Sequence, residues 1–106
     1  MKQVLTIRDI DELMHYDQVS IALELQCEVD ELASKINIGN LTEIIRKYHQ
    51  LIIYTVNDDW CIQLFDHDVA ANDDVECNYE NSRSELIEVL YISLGWVYDH
   101  LRNKGN

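Results

Sequence analysis

The sequence predicts an α+β fold, in which helices pack on one face of a small antiparallel sheet and a β-hairpin is followed by a long C-terminal helix. Apolar residues recur at helical spacing in the first half of the chain, whereas residues 51–65 are rich in β-branched and aromatic side chains. Helical spacing returns from Leu86 with a wide apolar face. With 106 residues, no Pro and three Gly, the chain shows no linker, so we expect a single domain over residues 1–106.

A short helix is predicted over residues 8–16, and two further helices are predicted before the hairpin. Apolar residues at spacings of three and four run through residues 22–36 and predict one amphipathic helix, with Asp17 as its N-cap and Gly39 just past its end. Asn40 and Glu43 have the spacing of a capping box, which predicts a second helix over residues 41–49. This second helix is expected to turn back over the first.

The sheet is predicted from three short segments. Residues 51–56 and 60–65 are predicted to be the strands of a β-hairpin, with the turn-forming residues 57–59 at its tip. Residues 66–74 are polar and acidic, which indicates an exposed loop. Residues 75–79 are then predicted to add a third short strand.

The C-terminal helix is predicted to be the central element of the core. Ser82 and Glu85 have the spacing of a capping box and are expected to open it. Residues 86–101 carry an apolar face wider than a surface helix needs. Arg102 and Lys104 near its end are typical of a helix C-terminus.

The chain is strongly acidic, with 20 Asp and Glu against 8 Lys and Arg and a formal net charge of −12. Residues 48–82 contain no Lys or Arg but carry eight carboxylates. A field of this sign attracts basic partners and repels nucleic acid and anionic membranes. We therefore expect no direct nucleic-acid binding and no membrane binding. The expected partner is a basic nucleic-acid-binding protein, and the chain is expected to be a monomer or a homodimer.

The predicted partner-binding residues are carboxylates with one aromatic anchor. Three glutamates at positions i, i+4 and i+7 share one face of the helix predicted over residues 22–36, and the other acids lie in the segment without cations. A tryptophan directly after the predicted turn is either a core residue or a partly exposed anchor. The alternative interpretation of the acids is a solvated face that keeps the protein soluble. The predicted set is Glu24, Glu28, Glu31, Asp58, Asp59, Trp60, Asp66, Asp68, Asp73, Asp74 and Glu76.

Metal binding and catalysis are the less favoured interpretations. Asp66, His67 and Asp68, with Cys61 and Cys77, are ligand types that a transition metal accepts, but their spacing is unlike that of metal motifs. The four histidines are scattered, and no nucleophile elbow or glycine-rich phosphate loop is present. We therefore expect no metal, no cofactor, no catalytic residues and no enzymatic activity. Three cysteines, an odd number, and the absence of a leader-like start indicate a reduced, cytoplasmic protein.

In its size, acidic excess, single domain and lack of catalytic motifs, the chain resembles small acidic phage-type inhibitors such as anti-CRISPR proteins and DNA mimics. Its predicted hairpin and capped helix (LIIYTVNDDWCIQLF, then NSRSELIEVLYISLGWV) are also similar to the β-hairpin–helix core of small phage and antitoxin-like domains. The resemblance implies an inhibitor that presents carboxylates where phosphates would lie on a Cas effector, a nuclease or a toxin. The alternatives are an immunity or antitoxin protein that neutralises a cognate toxin, and a non-enzymatic dimeric adaptor that pairs through its long helix.

Overall fold

A computed structural model describes residues 1–67 and 77–104. Within these residues the chain forms helices packed on a three-stranded antiparallel sheet, and the predicted α+β architecture is confirmed. None of the helices in these residues is long and apolar enough to cross a membrane. In chain order the elements are α1 (Ile7–Ile10), α2 (His15–Leu25), a 3₁₀ turn (Val29–Glu31), α3 (Leu32–Lys35), α4 (Ile38–Tyr48), β1 (Gln50–Val56), β2 (Asp59–Phe65), β3 (Tyr79–Arg83) and α5 (Leu86–Lys104).

The sheet has the strand order β1–β2–β3, with β1 and β3 at its edges. β1 and β2 form the predicted hairpin, in register from Gln50 opposite Phe65 to Val56 opposite Asp59. Asn57, the first residue of the resulting two-residue turn, has φ 56°, a left-handed conformation that Asn tolerates better than most residues. The hairpin prediction is confirmed, with Asp59 in the strand rather than in the turn.

Helix α5 is the centre of the hydrophobic core, as predicted. It packs against β2, β3, α2 and α4. Ile62 and Leu64 contribute to this core from β2, and Leu41 and Ile45 contribute from α4; all four side chains are fully buried. Because burying an aliphatic side chain of this size contributes about 1.5–3 kcal/mol, the contacts around α5 supply much of the driving force for folding.

The helix predicted over residues 22–36 is wrong as one continuous element. α2 ends at Leu25, and Gln26 follows in a left-handed conformation with φ 56°. The 3₁₀ turn and α3 then carry the chain onward, so that Leu32 and Ile36 still reach the core. The apolar spacing continues across the break because a 3₁₀ turn and an α-helix have similar periods, and no Gly or Pro marks the boundary.

Asp17 is a buried residue in the first turn of α2 rather than an N-cap. Its carboxylate forms an ion pair with Arg102 of α5, which also pairs with Asp99. Burial raises the pKa of Asp17 above its ordinary value, because water no longer solvates the charged form. The N-cap position is occupied by Met14, which makes no side-chain cap. The ion pair to α5 therefore ties down the start of α2.

The capping box predicted at Asn40 and Glu43 is wrong in register. Asn37 and Asn40 cap α4 reciprocally, since each side-chain oxygen accepts the backbone N–H of the other, at 2.8 and 3.0 Å. α4 consequently begins at Ile38, three residues before the predicted start. Gly39 lies in the first turn of α4 rather than beyond the end of the preceding helix.

β3 and α5 also begin later than predicted. Of the strand predicted over residues 75–79, residues 77 and 78 precede β3, and residues 75 and 76 lie outside the described residues. Ser82 is a strand residue opposite Cys61, so the predicted Ser82–Glu85 capping box is wrong. The Glu85 carboxylate instead accepts the backbone N–H of Lys2 at 2.7 Å, which joins the chain's first residues to the start of α5.

Candidate functional site

The predicted partner-binding residues do not form one compact site. Those that the structure describes lie in three places: Glu24, Glu28 and Glu31 around the 3₁₀ turn, Asp58, Asp59 and Trp60 at the hairpin tip, and Asp66 after β2. β2 is seven residues long, and at about 3.4 Å per residue it separates Asp59 from Asp66 by roughly 24 Å. Asp68, Asp73, Asp74 and Glu76 lie outside the described residues.

Glu24 does not share a helix face with Glu28 and Glu31, because α2 ends before them. Its half-buried carboxylate accepts hydrogen bonds from the Tyr48 hydroxyl and from Lys47 Nζ, the latter at 2.9 Å. The bond from Tyr48, together with the Lys47 ammonium, holds the pKa of Glu24 below its ordinary value. Glu24 therefore links α2 to α4, and the prediction of one acidic helix face is wrong.

Glu28 and Glu31 are exposed at the two ends of the 3₁₀ turn. The Glu31 carboxylate accepts the backbone N–H of Glu28 at 2.9 Å, which fixes the connection between α2 and α3. Asp30 is exposed between them. Three carboxylates within four residues thus lie on one corner of the molecule.

This corner borders a groove of about 480 Å³ that α1 lines on the other side. Ile7 is 75% exposed, so a large aliphatic side chain meets water at the groove. Apolar side chains form the floor, and each charged side chain of the lining is acidic. We name this feature the acidic groove; its lining is Ile7, Ile10, Val29 and Ala33, with Gln18, Asp11, Glu28 and Asp30.

Several cations of the chain are engaged in ion pairs within it. The pairs are Lys2 with Asp9 and Glu88, Lys47 with Glu24, Arg83 with Glu12 and Glu88, and Arg102 with Asp17 and Asp99. Four of the chain's eight Lys and Arg residues therefore have acidic partners among the described residues. These internal pairs leave Glu28 and Asp30 of the groove and Asp58 and Asp59 of the hairpin tip exposed as acids.

Asp58 and Asp59 are exposed to solvent at the hairpin tip. Trp60, the next residue of β2, is half-buried and packs against the core cluster. Its strand neighbours are Thr55 and Arg83. Core packing thus accounts for part of the Trp60 ring, and its role as an anchor for a partner stays a prediction.

A second site, which sequence reasoning missed, brings His49, Asp66 and His100 together. One donor atom from each, a ring nitrogen or a carboxylate oxygen, lies within 4.8 Å of the other two. His49 Nε2 is 3.9 Å from Asp66 Oδ1. The His49 side chain is 2% exposed, whereas Asp66 and His100 are half-buried and reach the surface. We name these three residues the histidine–aspartate cluster.

Three separate elements position this cluster. His49 directly follows α4, Asp66 directly follows β2, and His100 lies on α5. The Gln50 side-chain amide donates a hydrogen bond to the Asp66 carbonyl at 2.9 Å. The Asp66 backbone N–H donates to Asn78 Oδ1 at 2.8 Å. The backbone at Asp66 is therefore fixed from both sides.

Aromatic contacts hold the two imidazoles of the cluster. The Trp96 ring stacks on His100, with centroids 4.8 Å apart and 12° between the planes. Trp96 also contacts His49 edge-on at 5.4 Å, and Tyr79 stacks on Trp96 at 4.9 Å. The two imidazole centroids are 5.7 Å apart. These contacts restrict how far either imidazole can rotate.

The sequence pattern places Asp66 near other possible metal ligands, namely His67, Asp68, Cys61 and Cys77. Cys61 is buried in β2 five positions earlier, roughly 17 Å away along the strand, and His67 is exposed. The histidines that do lie beside Asp66 come from distant parts of the chain, so no local spacing reveals them. The one local signal was the position of His49 at the junction between the end of α4 and the start of β1.

Comparisons of the chain with protein-family models, with curated proteins and with solved structures found no match in any of the three.

Proposed function

We propose that the protein is an inhibitor that binds a basic nucleic-acid-handling protein through its acidic surface, as an anti-CRISPR or anti-restriction protein does. The observation that carries this proposal is the acidic groove, where carboxylates border an apolar floor. A partner segment with one apolar side chain flanked by Lys or Arg complements both features. Proteins that bind nucleic acid present such cations where they contact phosphates.

The proposed mechanism is competition with nucleic acid for the same cationic surface. Each exposed carboxylate–cation pair contributes only about 0.2–1 kcal/mol. Burying one aliphatic side chain in the groove contributes about 1.5–3 kcal/mol. We therefore expect the groove floor to set the lifetime of the complex, and the acids to set its association rate and salt dependence.

The hairpin tip is the second part of the proposed surface. Asp58 and Asp59 extend from the sheet, and the exposed part of Trp60 lies beside them. Aromatic residues next to charged rims are frequent binding hot spots. The remaining acids assigned to this surface by the proposal are Asp68, Asp73, Asp74 and Glu76.

The first experiment is capture of partners from nuclease-treated host lysate at low and high salt, with identification by mass spectrometry. We expect one basic nucleic-acid-binding protein, captured at low salt and released by high salt. If no such protein is captured, the proposal fails.

The affinity for the captured protein is then measured for matched variants. Glu28→Lys changes the groove rim, and Glu43→Lys makes the same change on the exposed face of α4, outside the groove and the hairpin tip. We expect Glu28→Lys to weaken binding clearly more than Glu43→Lys. Asp58→Lys reports separately on the hairpin tip. Equal losses of affinity in all three variants would show that binding depends only on net charge, and would refute the groove as the centre of the interface.

An immunity or antitoxin protein would use the same surface against a basic toxin, and a toxin as the captured protein would identify that role. Leu90, Leu94 and Val97 of α5 are fully buried in the chain's own core. An adaptor that pairs through this helix would therefore have little apolar surface for doing so.

A further inference from the structure

We propose that the histidine–aspartate cluster is a binding site for a divalent transition metal, and that Zn²⁺ is the ion whose ligand preferences it fits best. The donors are His49, Asp66 and His100. The proposal does not depend on the acidic surface. The cluster is formed at α4, β2 and α5, whereas the acidic groove is lined mainly by α1 and the 3₁₀ turn, and the hairpin tip is at the opposite end of β2.

The spacing of the donor atoms is close to that of a bound metal. Zn²⁺ lies about 2.0–2.2 Å from imidazole nitrogens and carboxylate oxygens, which places neighbouring donors roughly 3.3 Å apart in a tetrahedral site. Here the donors lie within 4.8 Å of one another, and His49 Nε2 is 3.9 Å from Asp66 Oδ1. Binding would therefore require the donor atoms to move closer together than they lie in this structure.

The separation of His49 and Asp66 also argues against a simple hydrogen-bonded pair. A hydrogen bond between a ring nitrogen and a carboxylate oxygen spans about 2.7–3.2 Å, less than the 3.9 Å found here. The same carboxylate faces a second imidazole, that of His100. Donor atoms of all three residues therefore lie around one common space, which is the arrangement that a metal ion requires.

The donors are already oriented before a metal arrives. Gln50 and Asn78 fix the backbone at Asp66, and Trp96 contacts both imidazole rings. His49 is held in the interior, whereas Asp66 and His100 are half-buried and partly exposed to solvent. Little side-chain freedom is then lost on binding, which favours affinity.

The donor chemistry selects the class of ion. Ca²⁺ and Mg²⁺ prefer sites made of oxygen ligands alone. Two imidazoles and one carboxylate suit Zn²⁺ with a fourth position left to water, and Fe²⁺ accepts the same ligands. Zn²⁺ binds such nitrogen and oxygen sites more tightly than Fe²⁺. The negative charge of the chain further raises the local concentration of cations.

A metal at this position would connect parts of the chain that are distant in sequence. It would join the α4–β1 junction, the end of β2 and the C-terminal part of α5. Because a site of this kind does not exist in the unfolded chain, the binding free energy adds to the stability of the fold. The expected consequence is a protein that unfolds at a higher temperature with Zn²⁺ than without it.

The test is titration of ZnCl₂ into protein freed of metal with a chelator, followed by calorimetry and by thermal unfolding. We expect one Zn²⁺ per chain and a rise in Tm of about 11–22 °C at a free Zn²⁺ concentration 100-fold above Kd. Titration with CoCl₂ gives an independent readout, because Co²⁺ bound by nitrogen and oxygen ligands absorbs visible light in a manner that reports its geometry.

Three variants decide whether the cluster is the site. His100→Asn and Asp66→Asn each remove one donor from a half-buried position, and His67→Asn changes an exposed histidine next to Asp66 as the matched control. We expect Zn²⁺ affinity to fall by more than about 100-fold in the first two, since even the loss of a residue that only supports a ligand costs 10–100-fold. The control should bind like the unmodified protein. Unfolding curves of the metal-free variants separate loss of the site from loss of the fold. No binding by the unmodified protein, or equal binding by all three variants, would overturn the proposal.

Discussion

Two tyrosines on helix α5 offer a controlled test of the core. Tyr91 and Tyr98 are both buried, with exposures of 1% and 7%. The Tyr91 hydroxyl donates a hydrogen bond to the Ile10 carbonyl at 2.7 Å, which ties α1 to α5. The Tyr98 hydroxyl has no hydrogen-bond partner among the described residues. Tyr→Phe removes only the oxygen, so one substitution should have different consequences at the two positions.

The expected magnitudes follow from the hydrogen bonds. Leaving a buried polar group unsatisfied costs about 1–3 kcal/mol. The Ile10 carbonyl keeps a second, longer bond from the Leu13 N–H at 3.3 Å, which favours the lower end of that range. We therefore expect Tyr91→Phe to reduce the free energy of unfolding by about 1–1.5 kcal/mol. Tyr98→Phe removes a hydroxyl that was desolvated without compensation, so we expect no loss, or a gain of up to about 1 kcal/mol.

The assay is urea unfolding followed by far-UV circular dichroism and tryptophan fluorescence. Both variants should keep the m-value of the unmodified protein, because neither changes the surface exposed on unfolding. For a domain of this size the loss in Tyr91→Phe corresponds to a fall in Tm of about 4–8 °C per kcal/mol. Equal losses in the two variants, or a larger loss in Tyr98→Phe, would refute the assignment of the hydrogen bond to Tyr91.

Three further predictions concern charge and packing. The folded-state pKa of Glu24 lies below its ordinary value of 4.5, so ionised Glu24 stabilises the fold at neutral pH, and this contribution is lost as the pH falls through the folded-state pKa. We expect Glu24→Gln to lower stability to urea at pH 7, and the difference from the unmodified protein to shrink progressively as the pH is lowered; a difference that does not change with pH would contradict this. Arg102→Ala should lower the free energy of urea unfolding by about 1–3 kcal/mol, because it removes the cation beside buried Asp17. The range is below that of a fully buried pair because the Arg102 side chain is 40% exposed. A loss under a few tenths of a kcal/mol would contradict this prediction. A Cβ at Gly95 would overlap Leu13 Cδ2, so Gly95→Ala should destabilise the protein. In a Leu13→Ala background the same change should instead stabilise it by up to about 1 kcal/mol through helix propensity. A double-mutant cycle of thermal unfolding measures this reversal, and additive effects would rule it out.

The elements that the sequence predicted correctly are those whose signal is local. Strands β1 and β2 are dense in β-branched and aromatic residues, and α5 has an apolar face that needs burial. The wrong predictions lie where the sequence marks a helix end weakly or offers two possible caps. Gln26 takes a left-handed conformation that Gln seldom adopts, and Asn37 caps α4 although Asn40 offered the more familiar pattern three residues later.

The same distinction between local and tertiary signals applies to the candidate sites. Composition and charge were enough to predict an acidic surface that includes Glu28 and Asp58. They could not reveal that Glu24 is engaged by Tyr48 and Lys47, because that contact joins two helices across the chain. The histidine–aspartate cluster could not be predicted for the same reason, because its three residues follow or belong to three different elements. Side chains that meet only through tertiary packing leave no periodic trace in a sequence.

Strand β1 lies at an edge of the sheet, and its apolar residues give the acidic charge a further consequence. Ile52, Ile53 and Val56 are 46%, 37% and 50% exposed along this strand. An exposed edge with such side chains is a template on which a second chain can add a strand, and from which fibrils grow. At neutral pH a formal charge of −12 on each molecule opposes that approach. Acid or high salt removes the barrier, so the carboxylates act as gatekeepers that slow self-assembly at β1 whichever partner the protein binds.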